Sequence, residues 1–236
     1  MLTADLHTHT VFSHGAGTVE QNVCAALEKG LKRIGIADHG PKHIFYPVKW
    51  EALLQLRREV DRMVKQYGSR IEVLMGLEAN LLGDGLTDVP EDDSIFDFIL
   101  LGYHKGAWPQ DAISWGWTRN FFIKQNKERH GAKNAMAYAH AMDKTKKLYA
   151  ITHPGIYIPV DHALLAREAA KRGVALEINE SHHNVTAEDL LAIKAEGAKL
   201  LISSDAHRPG RVGVAPKSIA LAKEAGVLGS VINYEE

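Results

Sequence analysis

Asp5-Leu6-His7-Thr8-His9-Thr10 is the stretch on which the fold turns. Alternate side chains of an extended segment share a face, so His7 and His9 project to the same side. At a strand end such a pair aims two imidazoles at one point. That suits a metal ion of the zinc, manganese or iron type. His14 follows five residues later. A metal site needs more ligands than these, and the rest of the chain supplies them at a recurrent place.

Downstream of the pair, Thr18-Val-Glu-Gln21 reads as a capping box, with Gly30 as the stop of the first helix. Arg33–Ala37 is a short apolar run, a buried strand ending at Asp38-His39-Gly40. The spacing predicts a helix over Lys49–Tyr67, closed by Gly68. Strands follow over Ile71–Leu77, ending at Glu78, and over Ile95–Gly102, ending at Tyr103-His104. Residues 105–147 read as a longer loop and helix insertion near the active-site face. Trp108, Trp115 and Trp117 fall in its loop, and its helix is predicted over Asn134–Lys147. A strand over Leu148–Thr152 ends at His153, and Asp161 caps a helix to Arg172. A strand over Val174–Ile178 ends at Asn179, and Thr186 caps a helix that stops at Gly197. The last strand, Ala198–Ser203, ends at Ser204-Asp205-Ala206-His207, and a final helix covers Ala215–Ala225.

Buried strands alternating with helices imply a parallel sheet. Seven such units, with no linker or repeat to divide them, predict a distorted (β/α)7 TIM-like barrel, one domain spanning 1–236, rather than an open doubly wound sheet. Nearly every strand ends in a metal-capable residue: His7, His9, His39, Glu78, His104, His153, Asp205 and His207, with His14 on the first loop. In such a barrel the C-terminal strand ends converge on one face. Residues scattered along the chain therefore meet in one pocket. Seven of the 13 histidines belong to this set. The others, His43, His130, His140, His162, His182 and His183, read as scaffold or solvated, with His182 and His183 near enough to reach the pocket mouth. Asp5 reads as a carboxylate that orients a histidine through a hydrogen bond.

Composition narrows the class. The 236 residues carry a net charge of −1, and 45% are hydrophobic, as in an ordinary globular protein. Near-neutral charge gives no case for a nucleic-acid or membrane surface. The lone Cys24 cannot form an internal disulfide, and no leader-like segment or membrane-length apolar run is present. A cytoplasmic protein is expected. No G-x-G-x-x-G or G-x-x-x-x-G-K-[ST] appears, which removes the usual nucleotide signatures.

The motifs D-L-H-T-H-T at 5–10, A-D-H-G at 37–40, G-L-E-A-N at 76–80, G-Y-H at 102–104, T-H-P-G at 152–155, L-E-I-N at 176–179 and S-S-D-A-H at 203–207 occur in this order. Together they resemble the PHP (polymerase and histidinol phosphatase) superfamily, within it the YcdX-like stand-alone phosphatase branch. The resemblance covers nearly the whole chain. It implies a distorted (β/α)7 barrel and three divalent transition-metal ions, most commonly Zn2+, with Mn2+ or Fe2+ as alternatives. Carried onto this sequence, His7, His9, Glu78 and Asp205 would hold the first ion. Glu78 would bridge to a second ion on His104 and His153, and His14, His39 and His207 would hold the third. The segment after His104 is longer than in compact members, which leaves the pocket's shape open.

An imidazole-rich cluster suits zinc better than magnesium or calcium, which prefer oxygen cages. Glu78 and Asp205 neutralise only part of such a charge, so the site should attract an anion such as phosphate. The expected activity is a metal-dependent phosphoric monoester hydrolase. It acts on a small phosphorylated substrate by metal-activated water, with phosphate as product. Asp205, Glu78 and Arg208 are the expected catalytic residues. Arg208, and less so Arg211, are positioned to grip phosphate by a bidentate fork. The alternatives are a histidinol-phosphate phosphatase of histidine biosynthesis and a regulatory metal-binding module without turnover. Family members attached to DNA polymerases act as exonucleases, but this chain carries no basic stripe for nucleic acid. Trp108, Trp115, Trp117 and Arg119 read as packing between the insertion and the barrel, or else as a lid.

Overall fold

A computed structural model describes residues 1–120 and 122–235. Its strands β1 (Ala4–Thr8), β2 (Arg33–Ile36) and β3 (Glu72–Gly83) are linked by helices α1 (Val19–Glu28) and α2 (Trp50–Tyr67). A short β4 (Leu86–Thr87) precedes β5 (Phe98–Gly102), and α3 (Ala112–Arg119) and α4 (Lys127–Lys144) lead to β6 (Leu148–Ile151). Then come α5 (His162–Arg172), β7 (Ala175–Asn179), α6 (Ala187–Ala195), β8 (Leu200–Ser203) and α7 (Pro216–Glu224). Strands β1-β2-β3-β5-β6-β7-β8 are neighbours in that order and run parallel. Thr8 and Ala206 pair across the remaining seam, where the His9 amide donates to the Ala206 carbonyl at 2.8 Å. The result is a nearly closed seven-stranded barrel, as the sequence predicts. Among the described residues no helix is long and apolar enough to cross a membrane.

Alternation along the strands sorts the core into two layers. Leu6, Phe98, Leu100, Ala150, Ala175 and Leu201 meet in one small cluster inside the barrel. Ile34, Met75, Leu77, Ile99, Leu176 and Ile202 face outward into the larger cluster with the helices. The Phe98 ring packs so close to Gly35 and Gly76 that a Cβ at either would overlap it. One aromatic thus fills the barrel floor where two neighbouring strands carry no side chain.

The helix caps act as the sequence indicates. Thr18 and Gln21 form the reciprocal box of α1, and the carboxylates and hydroxyls of Asp161 and Thr186 cap α5 and α6. Three elements differ from expectation. β3 does not stop before Glu78 but runs on to Gly83, because Asp84-Gly85 closes a two-residue hairpin with β4. Gly85 supplies the positive φ of 68° that the turn requires. Trp115 and Trp117 lie on α3 rather than in a loop. Asp111 starts this helix by accepting from the Ser114 amide at 2.8 Å. Trp117 is fully buried, donates through Nε1 to Asn134 Oδ1 at 2.8 Å within the insertion, and packs against Tyr103, just after β5, with ring centres 5.1 Å apart, which seats the insertion on the barrel. α4 begins at Lys127 because Asn126 caps it through the Arg129 amide; its polar first turn hides the helical period.

Candidate metal centre

Eight of the nine expected ligands line one cavity of about 280 Å³ at the C-terminal ends of the strands: His9, His14, His39, Glu78, His104, His153, Asp205 and His207. His7 lies directly behind them, fully buried, with Nε2 3.1 Å from Glu78 Oε1. Glu78 is the hub. Its carboxylate also lies 2.9 Å from His39 Nδ1, 2.9 Å from His104 Nε2 and 3.0 Å from His153 Nε2. Asp205 reaches toward His9 Nε2 at 3.2 Å, and His14 and His207 meet Nε2 to Nε2 at 2.6 Å. The ligand-capable atoms gather into three groups: His7/His9/Glu78, His39/Glu78/His104 and His9/His14/His207. His39 thus sits with Glu78 and His104, and His9 is shared between two groups.

Local folding sets these positions. His7 is within β1, and His9 follows it at the strand end. The loop carrying His14 is tied down by Asp38, which accepts from the Thr10 amide at 2.9 Å and from the Thr10 and Ser13 hydroxyls. His153 and Asp205 adopt positive φ values of 29° and 52°, a strained backbone for such residues, just after β6 and β8. Asp5 has a different role from the one expected. It accepts from the Ser204 amide and hydroxyl and from the Gly213 amide, pinning the barrel seam beside Asp205 rather than a histidine ring.

The histidine-orienting carboxylate is Glu177, in the middle of β7. Its Oε1 lies 2.7 Å from His7 Nδ1, and its Oε2 accepts from the His153 amide at 2.8 Å and from Asn179 Nδ2 at 2.9 Å. The sequence signal was a lone charge inside an apolar strand. Asn80 plays the same part for His104, whose Nδ1 lies 2.8 Å from Asn80 Oδ1. The Asn80 amide nitrogen donates to Asp88, which fixes which end faces His104.

These partners test whether metal fits. Glu177 and Asn80 Oδ1 are acceptors, so each takes the Nδ1 proton of its histidine. In neutral His7 and His104, Nε2 then carries a lone pair, and in both it faces a Glu78 oxygen. His207 donates Nδ1–H to the Asp205 carbonyl at 2.9 Å, so its Nε2 lone pair confronts His14 Nε2. Further buried atoms around the cavity, His9 Nδ1, His14 Nδ1, His153 Nδ1 and Asp205 Oδ1, have no hydrogen-bond partner among the described residues. Acceptors facing acceptors in a buried site call for a proton or a cation between them, so the residues present fit a metal. A donor set of imidazoles with two carboxylates suits a late transition metal.

Electrostatics agree. Burial opposes ionisation of Glu78, but the imidazoles of His104, His7 and His39 outweigh it and hold the carboxyl well below its usual range. Asp205 is held well down in the same way, by His7 and His9 against burial. Burial also opposes charging of His7, yet Glu78, Asp205 and Glu177 prevail and raise it well above the ordinary histidine value. Burial pushes His14 down to about 4, helped by His207 and His39; His104 is also pushed to about 4 by burial, against Glu78.

Beyond the ligands, the cavity wall includes His43, Phe45, Tyr46, Lys105, Tyr157 and His182. His43 is buried and stacks on His39 with ring centres 4.6 Å apart. His182 Nε2 lies 3.5 Å from Asp205 Oδ2. His162 is also buried, between Asp189 Oδ1 at 2.8 Å and the Pro154 carbonyl at 3.1 Å, and so braces the loop after His153. Arg208 and Arg211 are exposed beside a single turn at Pro209–Arg211, outside the described cavity wall.

Comparison with known proteins completes the assignment. Residues 5–204 match the model of the PHP domain. A protein of Shewanella sediminis described as "Probable phosphatase" is 30% identical over 233 residues, covering 94% of this chain and 85% of that one. One of Citrobacter koseri with the same description is 32% identical over 226 residues, covering 90% of this chain and 82% of its own. Among solved structures, histidinol phosphate phosphatase from Lactococcus lactis, complexed with zinc, L-histidinol and phosphate, superposes with a TM-score of 0.64. It is 17% identical and covers 95% of this chain and 94% of its own, which speaks for a shared fold. The motifs at the strand ends, the barrel that gathers them and the match over residues 5–204 lead to one conclusion: the chain belongs to the PHP domain family.

Proposed function

We propose that this protein is a metal-dependent phosphoesterase that hydrolyses a small-molecule phosphomonoester. Its metal ligands would be His7, His9, His14, His39, Glu78, His104, His153, Asp205 and His207, holding up to three divalent transition ions, zinc foremost. The observation that carries this reading is the set of imidazole and carboxylate lone pairs facing one another across a small cavity. The description of the relatives as probable phosphatases supports it. When bound there, such ions supply Lewis acidity toward a water nucleophile and toward phosphoryl oxygens. The chain's own residues do the rest. Glu177 and Asn80 hold His7 and His104 in the ligating tautomer. Glu78 and Asp205 supply the negative charge that keeps a multiply charged cluster in place. A cavity of about 280 Å³ admits a compact substrate. Arg208, one residue past His207 and exposed outside the cavity wall, would attract an anion to this side of the protein.

Phosphate release from p-nitrophenyl phosphate by chelated and metal-restored protein tests the reading. Chelated protein should be inactive, and zinc or manganese should restore turnover. Protein that holds two or more ions per chain yet releases no phosphate from a broad panel of monoesters would instead be the non-catalytic module.

Metal loading should also depend on pH with a defined sign. His7 in the metal-free protein keeps its proton above the ordinary histidine range, through Glu78, Asp205 and Glu177 acting against burial. A metal must displace that proton, so apparent zinc affinity should rise with pH, by up to about tenfold per unit for one proton, until His7 is neutral. Competition titrations from pH 6 to 8 measure it. A flat affinity would show that His7 binds no proton in competition with metal.

A further inference from the structure

Lys105 and Tyr157 belong to two cavities at once. Both line the metal-ligand cavity, and both line a second one of about 440 Å³ beside it. The Lys105 ammonium stands over the Tyr157 ring, 5.2 Å from its centre, at the junction. The second cavity is walled by the loop after β6 and by the turn between α3 and α4. Its side-chain amides serve the fold. Asn120 Nδ2 donates to the Tyr157 carbonyl at 2.6 Å, and Gln125 Oε1 accepts from Asn134 Nδ2 at 3.2 Å. The charged groups on its described wall are Lys105 and Lys124, with no carboxylate among the described lining residues. On the far side of Lys124 a further cavity is lined by Arg119 and Arg129, again without a described carboxylate. The described linings of these two cavities thus present lysine and arginine side chains to a ligand.

We infer that the second cavity is the subsite for the alcohol half of the substrate, and that Lys105 and Lys124 select alcohols bearing a second anionic group. This rests on the phosphoesterase reading, because it places the reacting phosphoryl group in the metal-ligand cavity and lets the rest of the molecule pass Lys105. The same charges disfavour phosphates of amino alcohols, whose ammonium would face two lysines. Histidinol phosphate is of that kind, so the subsite argues against it as substrate. Lys105 and Lys124 then have a use: they carry the charges that choose the leaving group.

The test uses two monoesters of equal length and opposite charge, 4-phosphooxybutanoate and 4-aminobutyl phosphate, with zinc-loaded protein. The wild type should favour the carboxylate in kcat/KM by about tenfold or more, a preference that shrinks at high salt. Lys124→Met and Lys105→Met should each bring the ratio toward one, and Lys124→Arg should retain it. Metal content and thermal midpoint are measured in parallel, so that a damaged fold is not mistaken for lost selection. Turnover of both esters at equal kcat/KM, or a ratio untouched by both methionine variants, overturns the subsite alone. Turnover of neither ester, nor of p-nitrophenyl phosphate, overturns the phosphoesterase reading and the subsite with it.

Discussion

Glu78→Gln is expected to lower metal-dependent phosphate release by about a thousandfold or more. Glu78 is 1% exposed, and four imidazoles converge on its two oxygens within 3.1 Å. Glutamine keeps the size but removes the charge and turns one oxygen into a donor. No unprotonated imidazole facing that donor could then share a cation with it. Losing about 4 kcal/mol of charge stabilisation at such a site corresponds to roughly three powers of ten in rate. Metal analysis separates the two routes to this loss, since turnover can fall because ions leave or because those that stay are misplaced. The protein should remain folded, because Glu78 Oε2 has no hydrogen-bond partner among the described residues and Oε1, which faces His104 and His153, stays an acceptor if the glutamine places its oxygen there; the thermal midpoint checks it. A variant within tenfold of wild-type turnover at equal metal content would remove Glu78 from the centre of the site.

The sequence exposed most of the barrel because buried parallel strands leave short apolar runs with a polar ligand at the end. His39, His104, His153 and Asp205 each follow such a run. It exposed less where geometry is set by contacts distant in sequence. The Asp84-Gly85 dipeptide is a hairpin signal in its own right, yet the apolar run up to Leu77 seemed complete without it. α4 starts earlier than its apolar period suggests because Asn126 and a charged first turn carry no such period. His162 looked like a surface residue in a first helical turn, but its ring is taken up by Asp189 on α6 and by the Pro154 carbonyl. Lys105, Tyr157 and His43 had no motif to mark them and reach the cavity only because loops after β2, β5 and β6 fold over it. The residues proposed as metal ligands were readable because most of them stand at or just after a strand end. The residues that hold those ligands were not, because their partners sit on other strands.

Glu177 is the clearest of these, and Glu177→Gln is expected to weaken zinc binding by about ten- to a hundredfold, with a matching loss of turnover at limiting metal. The reason lies in the groups around it. Glu177 accepts from His7 Nδ1, the Ser203 hydroxyl, the His153 amide and Asn179 Nδ2. All four can serve as donors, and only a carboxylate presents acceptors to all of them. A glutamine must turn its NH2 toward one side. Facing His153 and Asn179, it sets donor against donor and disturbs the backbone that holds His153 at positive φ. Facing His7, it favours the tautomer with the proton on Nε2, and that nitrogen can then no longer ligate. Glu177→Asp keeps the charge and acceptor type but shortens the reach, so it should fall between wild type and glutamine. The measurement is zinc affinity by competition with a chromophoric chelator, read alongside kcat at saturating zinc. Excess zinc should recover much of the glutamine variant's turnover, because Glu177 acts through its neighbours and touches no reacting group. An unchanged zinc affinity in Glu177→Gln would mean that the His7 tautomer is set by something other than this carboxylate. A turnover loss that saturating zinc leaves untouched would place Glu177 in the chemistry itself.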